Sequence, residues 1–231
     1  MTLPPIKGIS SMATRQLLAE LLARYHKETG RTVSVEAVGG VDAAKRVRAG
    51  EVFDLVVLAD DVIAKLADEG HIVTTSRTPF VRSAMALAVP TGATRPDIGS
   101  EAAVRAALTG ARSIGYSTGP SGTHLLTVLK SWGLDPAAEP GRFVQAKPGI
   151  PVATLVAHGE AAVGVQQLSE FIGEPGIEIV GLLPPPVQSV TTFSIGIGAR
   201  SAHADAARAV IAYVHAPASA ETKRRFGMEP A

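Results

Sequence analysis

The sequence predicts an α/β protein in which helices flank a mostly parallel β-sheet. Hydrophobic residues make up 46% of the 231 residues but aromatic residues only 4%. Ala, Val, Leu and Ile must therefore fill the core, which is typical of a parallel sheet buried between helices. Three strand–helix units also follow one another between residues 5 and 70. Because strand–helix–strand connections are almost always right-handed, this series favours parallel strands lying side by side.

Hydrophobic periodicity and helix-ending glycines define the individual elements. Apolar or alternating runs predict strands at residues 5–9, 33–38, 53–58, 84–89, 113–116, 143–146, 161–165, 178–180 and 190–198. Apolar residues at helical spacing predict helices at 13–28, 42–49, 63–69, 101–108, 121–132, 151–158, 204–215 and 220–226. The helix at 13–28, for example, carries Leu17, Leu18, Leu21 and Leu22 on one face and ends at Gly30.

Composition and missing motifs exclude several classes of function. The formal net charge is +1 and there is no basic block, so we expect no nucleic-acid partner. The absence of cysteine excludes disulfides, zinc–thiolate sites and cysteine nucleophiles. The sequence contains no His-x-x-x-His motif, no clustered carboxylates, no Walker or dinucleotide loop and no Gly-x-Ser-x-Gly elbow. We therefore expect no metal and no cofactor.

The location of the protein depends on how its N-terminus arose. No apolar run of 18 residues is present, so we expect no membrane insertion. The first residues lack the basic start and apolar stretch of a secretory signal. We expect a periplasmic protein if a leader was removed, and a cytoplasmic protein if Met1 is the native start.

The stretch from Ala111 to Leu134 combines a strand, a loop of small residues and a helix. The first N–H groups of a helix lack internal acceptors and lie at the positive end of its dipole, so this arrangement favours anion binding. Ser121 and Thr123 add hydroxyl groups, and Gly122 would let a ligand approach the backbone. The alternative is that Ser121 only caps the helix.

Four predicted helices begin directly after strands and small-residue loops. Two of their N-termini follow Ser10-Ser11 and Gly39-Gly40, and the other two lie at Ser121–Thr123 and Pro151-Val152. In open parallel sheets, ligands lie outside the carboxyl ends of the strands, where such termini gather. Together they predict a site for an anion or a carboxylate.

A series of motifs runs in order through nearly the whole chain. It comprises the strand before Ser10-Ser11, the Gly39-Gly40 loop, Phe53–Ala59, Ser117–Gly122, Val156–Gly164 and the ending Gly227–Pro230. This series resembles the molybdate-binding branch of the type II periplasmic solute-binding proteins. The resemblance implies a two-lobed fold of mixed, mostly parallel sheets, with two crossing strands that we place near residues 82–89 and 190–196. One lobe would be residues 1–82 plus 192–231, and the other 83–191.

The resemblance also implies which groups bind the ligand. Serine hydroxyls and backbone N–H groups hold the oxyanion in such proteins, which points by position to Ser10 or Ser11, Gly40, Ser121 or Gly122, and Val152. Molybdate binders commonly carry tyrosines where this chain has Thr123-His124 and Gln166-Gln167. A protonatable histidine and two amides suit an organic acid better than a compact tetrahedral oxyanion. Some relatives of this fold resemble enzymes that isomerise aconitate by proton transfer.

Several further side chains are candidates. Arg82 and Ser83 precede a buried strand; Arg82 is either a bidentate carboxylate ligand or a surface residue. His124 is either a capping or solvated residue or a neutral proton acceptor, because a helix N-terminus disfavours the imidazolium ion. Alternation directs one of Gln166 and Gln167 to the cleft. Glu170 and Lys147 are second choices for proton transfer.

We therefore expect a solute-binding protein for a small anion, specifically an organic polycarboxylate, that closes its lobes over the ligand. The alternative is an isomerase of the aconitate type, with His124 as the base, so the sequence leaves enzyme status open. As a receptor the protein would serve an ABC permease. We expect a monomer.

Overall fold

The computed structural model describes residues 4–139, 141–147 and 149–231. The strands are β1 (Ile6–Ser11), β2 (Val33–Val38), β3 (Leu55–Ala59), β4 (Thr78–Pro90), β5 (Ile114–Tyr116), β6 (Phe143–Gln145), β7 (Val163–Gln167), β8 (Ile177–Leu182), β9 (Val190–Ile197) and β10 (Met228–Pro230). The helices are α1 (Arg15–Thr29), α2 (Gly40–Arg48), α3 (Asp60–Asp68), α4 (Glu101–Gly110), α5 (Pro120–Ser131), α6 (Val152–Ala157), α7 (Ala204–His215) and α8 (Ala220–Arg225). Short 3₁₀ turns cover Met12–Thr14, Thr74–Ser76, Leu168–Glu170, Pro185–Val187 and Pro217–Ser219.

The described residues divide into two compact units. The first unit contains the residues up to Arg82 together with Thr192–Ala231, and the second contains Ser83–Thr191. Strands β4 and β9 each run from one unit into the other. Both units are of mixed α/β structure, as the sequence predicts.

The first unit is built on a sheet with the strand order β2–β1–β3–β9. Strand β1 is parallel to β2 and β3, and β9 is antiparallel to β3. On β3, Leu55 and Val57 join the core cluster formed with α1 and α7, whereas Val56 and Leu58 join the cluster formed with α2 and α3. The sheet is therefore covered on both faces, which explains the continuous apolar run of β3.

The second unit has the strand order β4–β7–β5–β6, with β8 also paired to β4. Strand β5 is parallel to β6 and β7, and β4 is antiparallel to β7 and β8. Met85 and Leu87 pack with α4 and α5, whereas Ala86 and Ala88 pack with α6. The carboxyl ends of β5, β6 and β7 consequently share one edge of the sheet, where their loops lead to α5, α6 and the 168–170 turn.

Two strands differ most from the sequence prediction. Strand β4 begins at Thr78, six residues before the predicted start at residue 84. The prediction missed these residues because Pro79, Arg82 and Ser83 interrupt the apolar pattern of the strand. Strand β10 was not predicted; it pairs with β4. The Ala231 N–H donates to the Phe80 carbonyl at 3.4 Å. Strand β10 has only three residues, too few to show a periodic pattern, and its partner strand lies far away in the sequence.

Candidate anion-binding site

The N-terminus of α5 presents a group of hydrogen-bond donors in the second unit. Gly119 is the N-cap and Pro120 the first helical residue. The Thr123 N–H donates to the Gly119 carbonyl at 3.1 Å, so the N–H groups of Ser121 and Gly122 lie in the first turn, where a helix has no internal acceptor for them. Beside them, the Ser117 and Ser121 hydroxyl oxygens are 3.1 Å apart. Such a helix end attracts anions.

Ser121 and Gly122 both lie in the first turn of α5. Ser121 does not cap the helix, because Pro120 starts it one residue earlier and Gly119 occupies the N-cap. A Cβ atom at Gly122 would lie 1.8 Å from the Ser117 carbonyl oxygen. Glycine at position 122 is thus required for packing of the helix against its own loop. Ser117 in turn accepts a hydrogen bond from the Gly119 N–H at 3.2 Å.

His124 ties α5 to the 185–187 turn. Its side chain is half-buried, and Nε2 lies 3.1 Å from the Val187 carbonyl oxygen. Because a carbonyl oxygen only accepts hydrogen bonds, Nε2 is the donor in this contact, which leaves Nδ1 as the nitrogen that could accept a proton. A base at His124 would therefore act through Nδ1. The neighbouring Thr123 is exposed, and its hydroxyl donates to the Gly119 carbonyl at 3.3 Å.

Gln166 bridges the N-terminus of α6 and a carboxylate. Its side chain is buried. Oε1 accepts from the Val152 N–H at 3.0 Å, and Nε2 donates to the Glu170 carboxylate at 2.6 Å. The Val152 N–H, which the resemblance assigns to the ligand, is therefore occupied by an internal partner. Of the two glutamines, Gln166 is the one that caps the N-terminus of α6.

Gln167 lies on the opposite face of β7, in a second buried polar group. It is 1% exposed, and its Nε2 donates to the Thr191 hydroxyl at 2.8 Å. Ser83 and Ser169 are also buried, and their hydroxyl oxygens lie 3.4 Å apart. Lys147, the other proton-transfer candidate, is exposed.

In the first unit, the two adjacent serines at the end of β1 point in different directions. Ser10 is fully buried and lines a groove of about 480 Å³ between α1 and β2. Ser11 is partly exposed and accepts from the Ala13 N–H at 3.4 Å, so it caps the 3₁₀ turn that precedes α1. Gly40 begins α2, and a Cβ atom there would meet no atom within 4 Å. Ser11 and Gly40 are thus the accessible members of this set.

An ion pair between Asp60 and Arg77 lies directly after β3, and the sequence did not predict it. The Asp60 carboxylate accepts two hydrogen bonds from Arg77, at 2.9 and 2.5 Å, and one from the buried Ser194 hydroxyl at 2.5 Å. The Arg77 guanidinium holds the pKa of Asp60 below its ordinary value, against the opposing effect of burial. The position of Asp60 directly after a buried strand was the available signal. Arg82, by contrast, is exposed and donates to the Pro230 carbonyl at 3.3 Å.

The described parts of the chain contain no group of three or more His, Cys, Asp or Glu side chains that could hold a metal ion. No helix within those same residues has the length and apolar character needed to cross a membrane.

Comparison with known proteins identifies the family. Residues 6–229 match the family model described as bacterial extracellular solute-binding protein. An aconitate isomerase from a Pseudomonas species is 33% identical over 231 residues, which cover 96% of this chain and 86% of the relative. The periplasmic molybdate-binding protein of Azotobacter vinelandii superposes with a TM-score of 0.82 at 19% identity, covering 98% of this chain and 99% of that one. The tungstate ABC transporter structure from Geobacter sulfurreducens gives 0.71 at 23% identity, covering 94% and 97%. The chain therefore belongs to the bacterial extracellular solute-binding protein family and has the two-lobed type II periplasmic-binding-protein fold.

Proposed function

We propose that this protein binds a small organic polycarboxylate. The observation that carries the proposal is the N-terminus of α5, where two serine hydroxyls and the first-turn N–H groups form a set of neutral donors. Neutral donors of this kind suit carboxylate oxygens. The relative that matches 96% of the chain is named for aconitate, a tricarboxylate. His124 and Gln166 both have internal partners, so the proposal does not depend on them.

A thermal-shift panel tests the ligand class. A ligand present at about one hundred times its dissociation constant stabilises the native state by roughly 2.7 kcal/mol. For a chain of this length, that corresponds to a rise in Tm of about 5–10 °C. We expect aconitate or citrate to produce this rise and molybdate, tungstate and sulfate not to. A rise with molybdate alone would overturn the proposal. Ser121→Ala, which removes one donor, should reduce the rise without changing the Tm of the free protein by more than about 2 °C.

The second candidate function is isomerisation of aconitate in the same site. The 33% sequence identity to an aconitate isomerase favours it. The reaction would remove a proton from the methylene carbon of the substrate and return one to the far end of the resulting allylic anion. His124 is the first candidate base, through Nδ1. NMR of cis- or trans-aconitate in deuterated water would reveal the proton transfer as incorporated deuterium, even without net conversion.

Substitution of His124 separates the two functions. We expect His124→Asn to preserve ligand affinity, because the N–H groups of α5 remain. If His124 is the base, the same change should lower turnover by about 10²–10⁴-fold. Turnover that survives would move the base to Glu170, whose carboxylate Gln166 holds at 2.6 Å, or to Lys147. Wild-type protein that binds aconitate but shows neither conversion nor exchange would exclude the isomerase.

The partners form part of the same proposal. As a receptor, the protein would deliver its ligand to an ABC permease in the periplasm and would act as a monomer whose lobes close on the ligand. Ligand-dependent binding to membranes that contain the permease, and a fall in the radius of gyration on saturation with ligand, are the expected results. An unchanged radius with ligand bound would count against closure.

A further inference from the structure

Strand β7 ends in a buried hydrogen-bond acceptor that has no partner among the residues the structure describes. Gln167 is 1% exposed, and its Nε2 donates to the Thr191 hydroxyl. Its Oε1 is also buried, and among the residues the structure describes no donor lies within hydrogen-bonding distance of it. Buried polar atoms without a partner are rare in folded proteins, and each calls for an explanation.

The surroundings of Gln167 supply a spare donor as well. Gln167 lies opposite Met85 in the antiparallel β4–β7 pair. Ser83, two residues before Met85, is on the same face of β4 and meets Ser169 with their hydroxyl oxygens 3.4 Å apart. One hydroxyl donates to the other, which leaves the second hydroxyl hydrogen for another acceptor. This buried face therefore offers one acceptor and one donor.

A hydroxyl group matches that combination, because it donates and accepts at once. A carboxylate oxygen or an inorganic oxyanion only accepts, and it would be repelled by Gln167 Oε1. We propose that Gln167 and the Ser83–Ser169 pair hydrogen-bond to a hydroxyl group of the ligand. The preferred ligand class is then a hydroxy-polycarboxylate. The inference rests on the proposed polycarboxylate-binding function.

The fold places this face beside the donors of α5. Val165 and Gln167 share one face of β7, and Val165 packs in the same core cluster as Leu125 and Leu129 of α5. Val165 also pairs with Tyr116 of β5, directly before the Ser117 loop. Carboxylates at the N-terminus of α5 and a hydroxyl at Gln167 would thus belong to one molecule.

Two ligands that differ by one hydroxyl group test the inference. Citrate and tricarballylate have the same carbon skeleton and three carboxylates, but only citrate carries the hydroxyl. We expect calorimetry to show that the wild-type protein binds citrate about tenfold more tightly than tricarballylate, because tricarballylate leaves the buried Gln167 Oε1 without a donor. Gln167→Leu should reduce the preference to about onefold. Gln145→Leu, the same change at an exposed side chain of β6, should leave it unchanged.

The outcomes separate this inference from the function beneath it. Equal affinity of the wild-type protein for both ligands, as a buried water at Gln167 would produce, overturns the hydroxyl subsite and leaves polycarboxylate binding in place. Failure of both to bind overturns polycarboxylate binding and the subsite with it. If Gln167→Leu does not fold, Thr191→Val removes the anchor of the amide with little change in shape. A citrate preference that stays unchanged in Thr191→Val would then contradict the inference.

Discussion

Substitution of Gly122 tests the geometry of the α5 loop most directly. A Cβ atom at this position would lie 1.8 Å from the Ser117 carbonyl oxygen and 2.7 Å from its carbonyl carbon. Ordinary contact begins near 3.4 Å, so the loop and the helix would have to separate by about 1.6 Å. Both groups belong to the backbone and cannot rotate away. Gly122→Ala should therefore destabilise the protein by about 3 kcal/mol, at the upper end for overpacking.

Thermal denaturation measures this effect. A loss of about 3 kcal/mol corresponds to a fall in Tm of roughly 6–12 °C for a chain of this length. Ligand affinity should fall as well, because Ser117 would no longer hold the Gly119 N–H and the Ser121 hydroxyl in place. Gly119→Ala is the matched control in the same loop, since its Cβ would meet only Ser117 Oγ at 3.6 Å; we expect it to cost less than about 1 kcal/mol as a changed N-cap. Equal Tm values for the two variants would refute the packing argument.

Three further substitutions test other parts of the structure. Gly40→Ala should keep or slightly raise Tm, since a Cβ atom at this position would meet no atom within 4 Å. It should lower ligand affinity about tenfold if the ligand contacts the Gly40 backbone. Unchanged affinity would remove Gly40 from the candidate site. Burial lowers the pKa of Lys223 to about 8. Wild-type stability should therefore rise between about pH 8 and 10.5, where the unfolded chain binds more protons, by at most about 3 kcal/mol. Lys223→Met should abolish that rise in pH-dependent melts; a rise that persists would contradict the assignment. Because Arg77 lowers the pKa of Asp60, this carboxylate stabilises the fold above its ordinary titration range and loses the effect as the pH falls. Asp60→Asn should therefore flatten the acid limb of the stability curve, whereas Asp61→Asn, an exposed neighbour, should not.

Local pattern was sufficient for the fold class and for elements with a strong period. Helix α7 covers Ala204–His215 and β2 covers Val33–Val38, the predicted bounds in both cases. In α7, apolar residues at helical spacing reach the core through Ala207, Val210 and Val214. Such elements can be predicted because the apolar residues that they bury recur within the element itself.

Side-chain partners could not be predicted, because they depend on residues far away in the sequence. Ser194 reaches Asp60 across 134 residues, and His124 reaches Val187 across 63. Alternation did indicate that Gln166 and Gln167 face opposite sides of β7, but only the packed structure shows that Gln166 occupies the α6 terminus. The start of α5 was predictable in principle, since proline favours the first helical position and Pro120 occupies it.

The helix termini themselves bear on the kind of anion the protein can hold. Of the four that the sequence singled out, the one at α6 belongs to a helix of only six residues and is occupied by Gln166. The one before α1 opens with a 3₁₀ turn capped by Ser11. The termini of α5 and α2 remain, and each carries the equivalent of about half a positive charge. A compact dianion at a single terminus would have most of its charge left uncompensated by that terminus. A single carboxylate of a polycarboxylate carries only one negative charge, which one such terminus balances better, and this favours a polycarboxylate over a tetrahedral oxyanion as the ligand to test first.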